Sequence, residues 1–519
     1  MNREEMLARI EDTSEGWDFI VIGGGATGVG TAIEASSRGY RTLLLEQSDF
    51  AKGTSSRSTK LAHGGVRYLQ QGNISLVLEA LKERGLMFQN APHLVHDLPF
   101  VVPAYDWWEG PFYGIGLKLY DLLAGKMGFG PSKLLSKEKT IKHIPTVETY
   151  ELRGGVIYYD GQFDDARMVI NMAETAAEQG ASLLNYMQVT KLIKKNGMVH
   201  GVVAHDTESG KKYELNAGAV INATGVFADS VRRMDDPKAK QMISPSQGVH
   251  IVLNRSFLPG DSAIMVPKTD DGRVLFTIPW HDCVIVGTTD TPVRDISLEP
   301  RALDEEIEFL LSNAARYLIK DPQRSDVLSI YAGLRPLVGS GDEANTASIS
   351  RDHVLHISRS GLITITGGKW TTYRKMAQDT IDHASVVAQL DAVPSVTHEL
   401  HIHGYHKNAE MFGDLEIYGS DAPAVRDLLL ESTENSKRLH PDMPTRVGEV
   451  IWAVRHEMAR TVEDFLARRT RSLLLNARAS IKMALKVAEI MAKELNRDDA
   501  WVKQHVEQYT KLAEGYILN

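Results

Sequence analysis

Asp18-Phe-Ile-Val-Ile-Gly-Gly-Gly-Ala-Thr-Gly28 joins an apolar run to a glycine-rich turn near the start of the 519-residue chain. Phe19 to Ile22 lacks polar alternation, as expected of a parallel strand buried on both faces. It runs directly into Gly23-x-Gly25-x-x-Gly28. Gly23 turns the chain tightly out of the strand, Gly25 admits a pyrophosphate against the backbone, and Gly28 lets the following helix lie close to the sheet. That helix turns Val29, Ala32, Ile33 and Ser36 inward and aims the amides of its first turn at phosphate.

Glycine-rich turns are common, and a tight βαβ unit without a ligand has the same spacing. The second strand distinguishes the two readings. Thr42 to Leu45 ends in Glu46, 18 positions after Gly28. A carboxylate there accepts both hydroxyls of an adenosine ribose and repels a 2′-phosphate. NADP is disfavoured, while NAD and FAD both stay open at this point.

A chain of this length exceeds one core and predicts two or three domains. With 43% hydrophobic and 24% charged residues it has the composition of a globular protein. The formal charge of −9 argues against a nucleic-acid partner, although a local basic pocket can still hold an anion. The single cysteine, Cys283, can form no internal disulfide and no cysteine-based metal site, which suits a reducing cytosol; no metal site is expected. Met1 to Gly16 mixes Arg3 and Arg9 with Glu4, Glu5, Glu11 and Asp12, unlike a secretory signal or a mitochondrial presequence. With no apolar run of spanning length, any membrane contact must be peripheral.

Asp49 to Tyr68 is dense in hydroxyl, glycine and basic residues. By composition it is a solvated loop; by position it suits a lining for phosphate or a flavin ring. Leu76 to Phe88 predicts a surface helix. Between Tyr105 and Leu123, Trp107, Trp108, Phe112 and Tyr113 crowd around Lys118. Packing into a domain core is the commoner arrangement for such aromatics, and an element lying on a membrane surface is the alternative. Val156 to Tyr159 predicts a strand, followed by a helix through Gln179. Ser182 to Lys194 and Met198 to His205 flank a Lys195-Asn-Gly197 hairpin turn, and Lys211 to Leu215 adds a third strand. Ala219 to Gly225 is again an apolar strand running into glycine. A meander that returns to the nucleotide sheet suits a flavoprotein better than an NAD dehydrogenase. From Ser246 to Gly368 short strands (His250 to Leu253, Val274 to Ile278, Val284 to Val286, Leu362 to Thr366) and one helix near Asp304 to Leu318 predict an antiparallel roof over the cofactor. Beyond Thr372 the chain turns helical. Ile381 to Pro444 reads as a connecting region, and Val450 to Leu466 and Ala479 to Leu495 as amphipathic cap helices, the latter with Ile481, Leu485, Ala488, Met491 and Leu495 on one side.

Ile22 to Gly28, Lys60-Leu-Ala-His-Gly-Gly-Val-Arg-Tyr-Leu69, Ile278-Pro-Trp280, Gly287-Thr-Thr-Asp290, Gly333-Leu-Arg-Pro-Leu337 and Gly367-Gly-Lys-Trp-Thr-Thr-Tyr-Arg374 together resemble the FAD-dependent, respiratory glycerol-3-phosphate dehydrogenases. The glycine fingerprint is shared with many flavoproteins, whereas the second and last segments are far more specific. The resemblance implies a fold that is α/β and α+β. A Rossmann-like FAD domain of the glutathione-reductase or D-amino-acid-oxidase type would be interleaved with an antiparallel-sheet substrate domain over residues 17–380, and a helical cap would span 390–519. It implies oxidation of sn-glycerol 3-phosphate to dihydroxyacetone phosphate, with electrons passed to a quinone. The enzyme would be cytoplasmic and peripheral on the inner face of the cytoplasmic membrane. Oligomeric state is open, a homodimer included.

A phosphate dianion in a half-buried pocket needs cations to offset its desolvation, and arginine offers a fork of donors where lysine offers a point charge. Arg335 and Lys369 are the first choices, with Arg67 and Tyr68 beside them; singly, each is equally a surface charge. Oxidation removes a hydride from C2 while the C2 hydroxyl loses its proton, and histidine titrates nearest neutrality. His250 is the candidate base because the family places a substrate-facing histidine at the matching position; an activated water, with His250 orienting substrate, is the other reading. Arg335 would assist catalysis as well as binding. For FAD, Gly23, Gly25, Gly28, Thr54 and Ser55 would meet the pyrophosphate and Glu46 the ribose, with Val189 touching adenine. Ser58, Leu61, His63, Gly65, Gly225, Gly368 and Thr371 would neighbour the ring or ribityl chain. Competing readings are another flavoenzyme of the superfamily, oxidising an amine or a 2-hydroxy acid, and a flavin-stabilised module acting on RNA.

Overall fold

The computed structural model describes residues 1–12, 16–65, 73–267, 269, 272–339 and 352–518. The fingerprint strand Trp17–Ile22 lies at the centre of the first sheet, parallel to Thr42–Leu45 on one side and to Lys212–Asn222 on the other. Ser182–Leu184 extends the sheet beyond Thr42–Leu45, and Ile363–Gly367 extends it beyond Lys212–Asn222. All four residues of Thr42–Leu45 are buried, which explains their unbroken apolar character. The helix Ala26–Ser37 buries Val29, Ala32, Ile33 and Ser36, as its spacing predicts. It is sandwiched between the helices Tyr373–Val387 and Asp165–Glu178. The expected domain boundary at residue 380 thus falls inside a helix that packs on the fingerprint helix.

The meander forms as expected, turning at Asn196 (φ 54°) and Gly197 (φ 81°). Its third strand does not stop at Leu215. It continues as Lys212–Asn222 into the first sheet, so the segments read separately as 211–215 and 219–225 form one strand.

The second sheet is mixed rather than purely antiparallel. Ala263–Val266 runs parallel to Val95–Ala104, and the other described pairings are antiparallel. Its longest pairing joins Ile243–Asn254 to Val327–Val338, a strand that the sequence pattern did not reveal. Most of Val327–Val338 is buried on both faces, so no alternation marks it. Leu362 to Thr366, expected in the roof, belongs to the first sheet.

Two surface expectations reverse. The helix Ile74–Asn90 is no surface helix, because Glu83 and Arg84 are buried in ion pairs with Arg374 and Asp160, at 2.7 Å each. The helix Glu109–Ala124 buries Leu117, Tyr120 and Ala124 but leaves Phe112 (55%), Ile115 (75%) and Leu122 (76%) exposed, as is Trp107 (77%) just before it. The core reading is therefore corrected for Trp107, Trp108 and Phe112, which are exposed, while Tyr113 packs partly against the core.

The C-terminal helices Val447–His456, Ala477–Glu494 and Asp499–Glu514 share one core with Val252, Trp280, Ile285 and Tyr331 of the second sheet. Val450 to Leu466 is not one helix, since Val447–His456 ends before a separate turn at Asp464–Arg469. Ala477–Glu494 buries Met483, Ala484, Val487, Ala488 and Met491 and exposes Leu485, a face rotated from the expected one. Between these helices, residues 463–471 reach the loop that begins at Asp49. Arg468 and Arg469 pair with Asp49 at 2.5 and 2.6 Å, Glu463 with Lys52 at 2.6 Å, and Arg471 with Asp165 at 2.7 Å.

Candidate active site

Both sheets contribute walls to one cavity of about 690 Å³ that reaches from the fingerprint turn to Arg335 and Lys369. Gly23 and Gly25 line it, whereas Gly28 does not. A Cβ at Gly28 would stand 1.9 Å from the Gly23 carbonyl oxygen, so its role is to close helix against turn. The Ala26 amide at the helix start donates to Ser55 Oγ at 2.9 Å. Glu46 accepts from the Gly24 amide at 2.6 Å and the Ser48 amide at 2.8 Å. Burial pushes its carboxyl up the pH scale, and the two amides pull against that shift. Each oxygen keeps a lone pair for a ribose hydroxyl.

Thr54 lines the cavity, but its hydroxyl proton goes to the Leu334 carbonyl at 2.6 Å. Ser55, by contrast, accepts from Ala26 and keeps its own hydroxyl proton to give, as the expected donation to pyrophosphate requires. Ser58 likewise commits its hydroxyl proton to Asp165, at 2.7 Å. Val189, Gly225 and Gly368 line the same cavity, as do Leu61, His63 and Gly65. Thr371 does so while accepting from the His63 amide at 3.3 Å. Burial lowers the His63 pKa; Asp160 opposes that shift and the nearby Lys369 cation reinforces it.

At the other end, Arg335 sits on Val327–Val338 directly opposite Ser246. Its guanidinium meets Asp290 at 3.3 Å, Thr288 Oγ1 at 3.1 Å and the Thr289 carbonyl at 3.0 Å, and Ser246 also donates to Asp290. A Cβ at Gly248 would stand 2.4 Å from Arg335 Nη2, so the guanidinium can lie across this strand only where a side chain is missing. Lys369 immediately precedes the turn Trp370–Thr372, whose indole N–H donates to the Ser55 carbonyl at 2.9 Å. One short segment thus ties the lysine to the loop that carries Ser55.

His250 stacks on Tyr331 with ring centroids 4.8 Å apart and planes 11° from parallel, and its Nε2 lies 2.9 Å from Thr59 Oγ1. Burial, then the Lys60 and Arg335 cations, hold its pKa well below the ordinary histidine value. It is neutral near pH 7 and able to accept a proton. Arg67 and Tyr68 lie outside the described residues. The sequence reading did not single out Asp290, Thr59 or Lys60 as site residues, although each belongs to or adjoins a segment it quoted.

Residues 18–374 match the family model described as FAD dependent oxidoreductase, and residues 360–502 match the C-terminal domain of alpha-glycerophosphate oxidase. The mitochondrial glycerol-3-phosphate dehydrogenase of Homo sapiens is 42% identical over 98% of this chain and 75% of its own. That of Schizosaccharomyces pombe is 38% identical over 96% and 87%. Among solved structures, the glycerol-3-phosphate dehydrogenase from Bacillus halodurans complexed with FAD superposes with a TM-score of 0.81 at 29% identity, covering 99% of this chain and 97% of that one. The chain belongs to the FAD-dependent glycerol-3-phosphate dehydrogenase family. Membership resolves the dinucleotide left open by the fingerprint in favour of FAD. The residues present fit that group: an open glycine turn, a helix start with Ser55 beside it, and a carboxylate fixed by two amides. An FAD-dependent dehydrogenase of this family needs a substrate subsite beside its flavin, and the cavity continues past the fingerprint to His250, Arg335 and Lys369.

Proposed function

We propose that the chain oxidises sn-glycerol 3-phosphate to dihydroxyacetone phosphate and passes the electrons to a quinone at a membrane surface. The observation that carries this reading is the presence of Arg335, Lys369 and His250 on the walls of the cavity that holds the dinucleotide turn. FAD supplies the hydride acceptor when bound. Arg335, oriented by Asp290, Thr288 and the Thr289 carbonyl, and Lys369 offset the charge of the phosphate dianion. With the ester anchored, the C2 hydroxyl gives up its proton toward the neutral His250 ring as the hydride leaves. Residues 17–380 would carry this chemistry and 390–519 cap it. An amino acid or a 2-hydroxy acid has a single carboxylate and asks for fewer cations than the pair, Arg335 and Lys369, on the cavity wall.

The holoprotein should bleach anaerobically on addition of glycerol 3-phosphate, but not with glycerol, lactate or alanine. A flavin-replete sample that stays yellow with glycerol 3-phosphate overturns the assignment.

For the membrane, the exposed aromatic and aliphatic face of Glu109–Ala124 is the supporting observation, with Lys118 on the same helix. Among the described residues no helix is long and apolar enough to cross a bilayer, so this reading is of a surface contact, on the inner face of the cytoplasmic membrane. Replacing Trp107, Ile115 and Leu122 together by Ser should abolish binding to anionic vesicles and leave dye-linked oxidation intact. Unchanged vesicle binding would remove this helix from the contact.

A further inference from the structure

His250 exchanges its proton through one nitrogen. Nδ1 is buried and has no hydrogen-bond partner among the described residues, while Nε2 faces Thr59 Oγ1 at 2.9 Å. Thr59 also lines the cavity. The proton path to His250 therefore passes the Thr59 hydroxyl, and the position of that hydroxyl is set by the residue that follows it.

Lys60 is wholly buried, with a left-handed backbone (φ 62°) that a non-glycine residue keeps only inside a locked turn. Its Nζ donates to Asp165 Oδ2 at 2.7 Å and to the Ser56 carbonyl at 2.8 Å. Asp165 Oδ2 also takes the Ser58 amide at 3.0 Å and the Ser58 hydroxyl at 2.7 Å, and Oδ1 takes Arg471 Nη2 at 2.7 Å. Tyr331, the ring beneath His250, donates its hydroxyl to the Ser58 carbonyl at 3.1 Å. Residues 56–60 are thus fastened on both sides of Thr59.

We propose that Thr59 and Lys60 are positioning residues for the proton-transfer step: Lys60, clamped by Asp165 and Arg471, fixes the Thr59 hydroxyl against His250 Nε2 and so sets the ring's tautomer and angle. This rests on the reading of His250 as the base. A burial-and-charge argument agrees with it. The described charged groups around the ring are Arg335 on one neighbouring strand and Lys60, with Asp165, Asp164 and Arg471 behind it; the stacked Tyr331 is neutral, its hydroxyl pushed well above the ordinary value chiefly by burial, and the other neighbouring strand offers only Gly287. Lys60 itself is pushed down to about 7, chiefly by burial, so it is charged in the acid range where His250 titrates. Its removal should raise the pH at which His250 takes up a proton.

The test uses the FAD-loaded enzyme with a dye acceptor, at saturating glycerol 3-phosphate so that the ionisation of the free substrate does not enter. Thr59→Val should lower kcat about tenfold, the scale of one lost hydrogen bond, with KM and flavin content unchanged, and Thr59→Ser should restore it. Lys60→Met should shift the acid limb of kcat to higher pH. Wild-type kcat in Thr59→Val, no recovery in Thr59→Ser, or an unmoved limb in flavin-replete Lys60→Met overturns the inference. Should Lys60→Met not retain flavin, the two Thr59 variants decide alone. His250→Asn separates the two layers. If it keeps both kcat and the acid limb, the base assignment itself falls; if it loses them while Thr59→Val behaves as wild type, only the positioning role falls.

Discussion

Residues 23–28 and residues 331–335 serve one cavity by different means. Around the fingerprint the working groups are backbone amides and the space left by absent side chains, and even Glu46 is aimed by the amides of Gly24 and Ser48. Around Arg335 they are polar side chains, each held by a partner of its own: Asp290 for the Arg335 cation, Thr59 for the neutral His250 ring. A site made of empty space fails sterically and at once. A site made of charges fails by degrees, because the surrounding dipoles and ions share the load.

The sharpest contrast comes from Gly28→Ala. The added Cβ meets the Gly23 carbonyl oxygen, which cannot swing away as a side chain could. The variant should purify without flavin absorbance, and a yellow Gly28→Ala protein would break the steric account. At the charged end, Arg335→Lys keeps the cation but loses the fork that Asp290 and Thr288 orient. Its kcat/KM for glycerol 3-phosphate should fall roughly a hundredfold with flavin content unchanged, the size expected of one or two charge-assisted hydrogen bonds. Equal kinetics would remove Arg335 from the subsite. Smaller again, Glu46→Gln should weaken FAD retention about tenfold in equilibrium dialysis, since the amide keeps one acceptor and loses the charge. The smallest expected change is with pH. Because burial and two cations hold His250 well below 6.5, and a base works when neutral, kcat should vary less than about threefold from pH 8 down to 6.5 and fall only below that. A limb centred near 6.5 or above would show that His250 is solvated in the working enzyme.

The same contrast explains what could be read in advance. The fingerprint turn was legible because glycine spacing, strand burial and an acid at a fixed distance are local in sequence, and the meander was legible from its Asn196-Gly197 turn. Val327–Val338 was not, since a strand covered on both faces has no alternation. The aromatic helix was misread as core because a tryptophan has the same composition facing in or out, and only the neighbouring Leu117 and Tyr120 decide which side is covered. The Leu485 error has a similar origin: a cap helix packed against other helices and a sheet strand has a wide buried arc, and periodicity alone does not fix its edge. Arg335 and Lys369 were chosen through family-like segments. Their holding groups, Asp290 and the Trp370 bond to Ser55, depend on contacts between distant segments that spacing does not encode.

The clamp between residues 463–471 and the loop that begins at Asp49 also bears on biosynthesis. Asp49 and Arg468 are 419 positions apart, so on the ribosome the loop emerges long before the arginines that neutralise it. Until they arrive, closing the loop would bury Asp49 without the two arginines that neutralise it, a costly arrangement. Flavin capture should therefore wait for the finished polypeptide, and a nascent fragment that already has the whole Gly23–Gly28 turn should still emerge colourless.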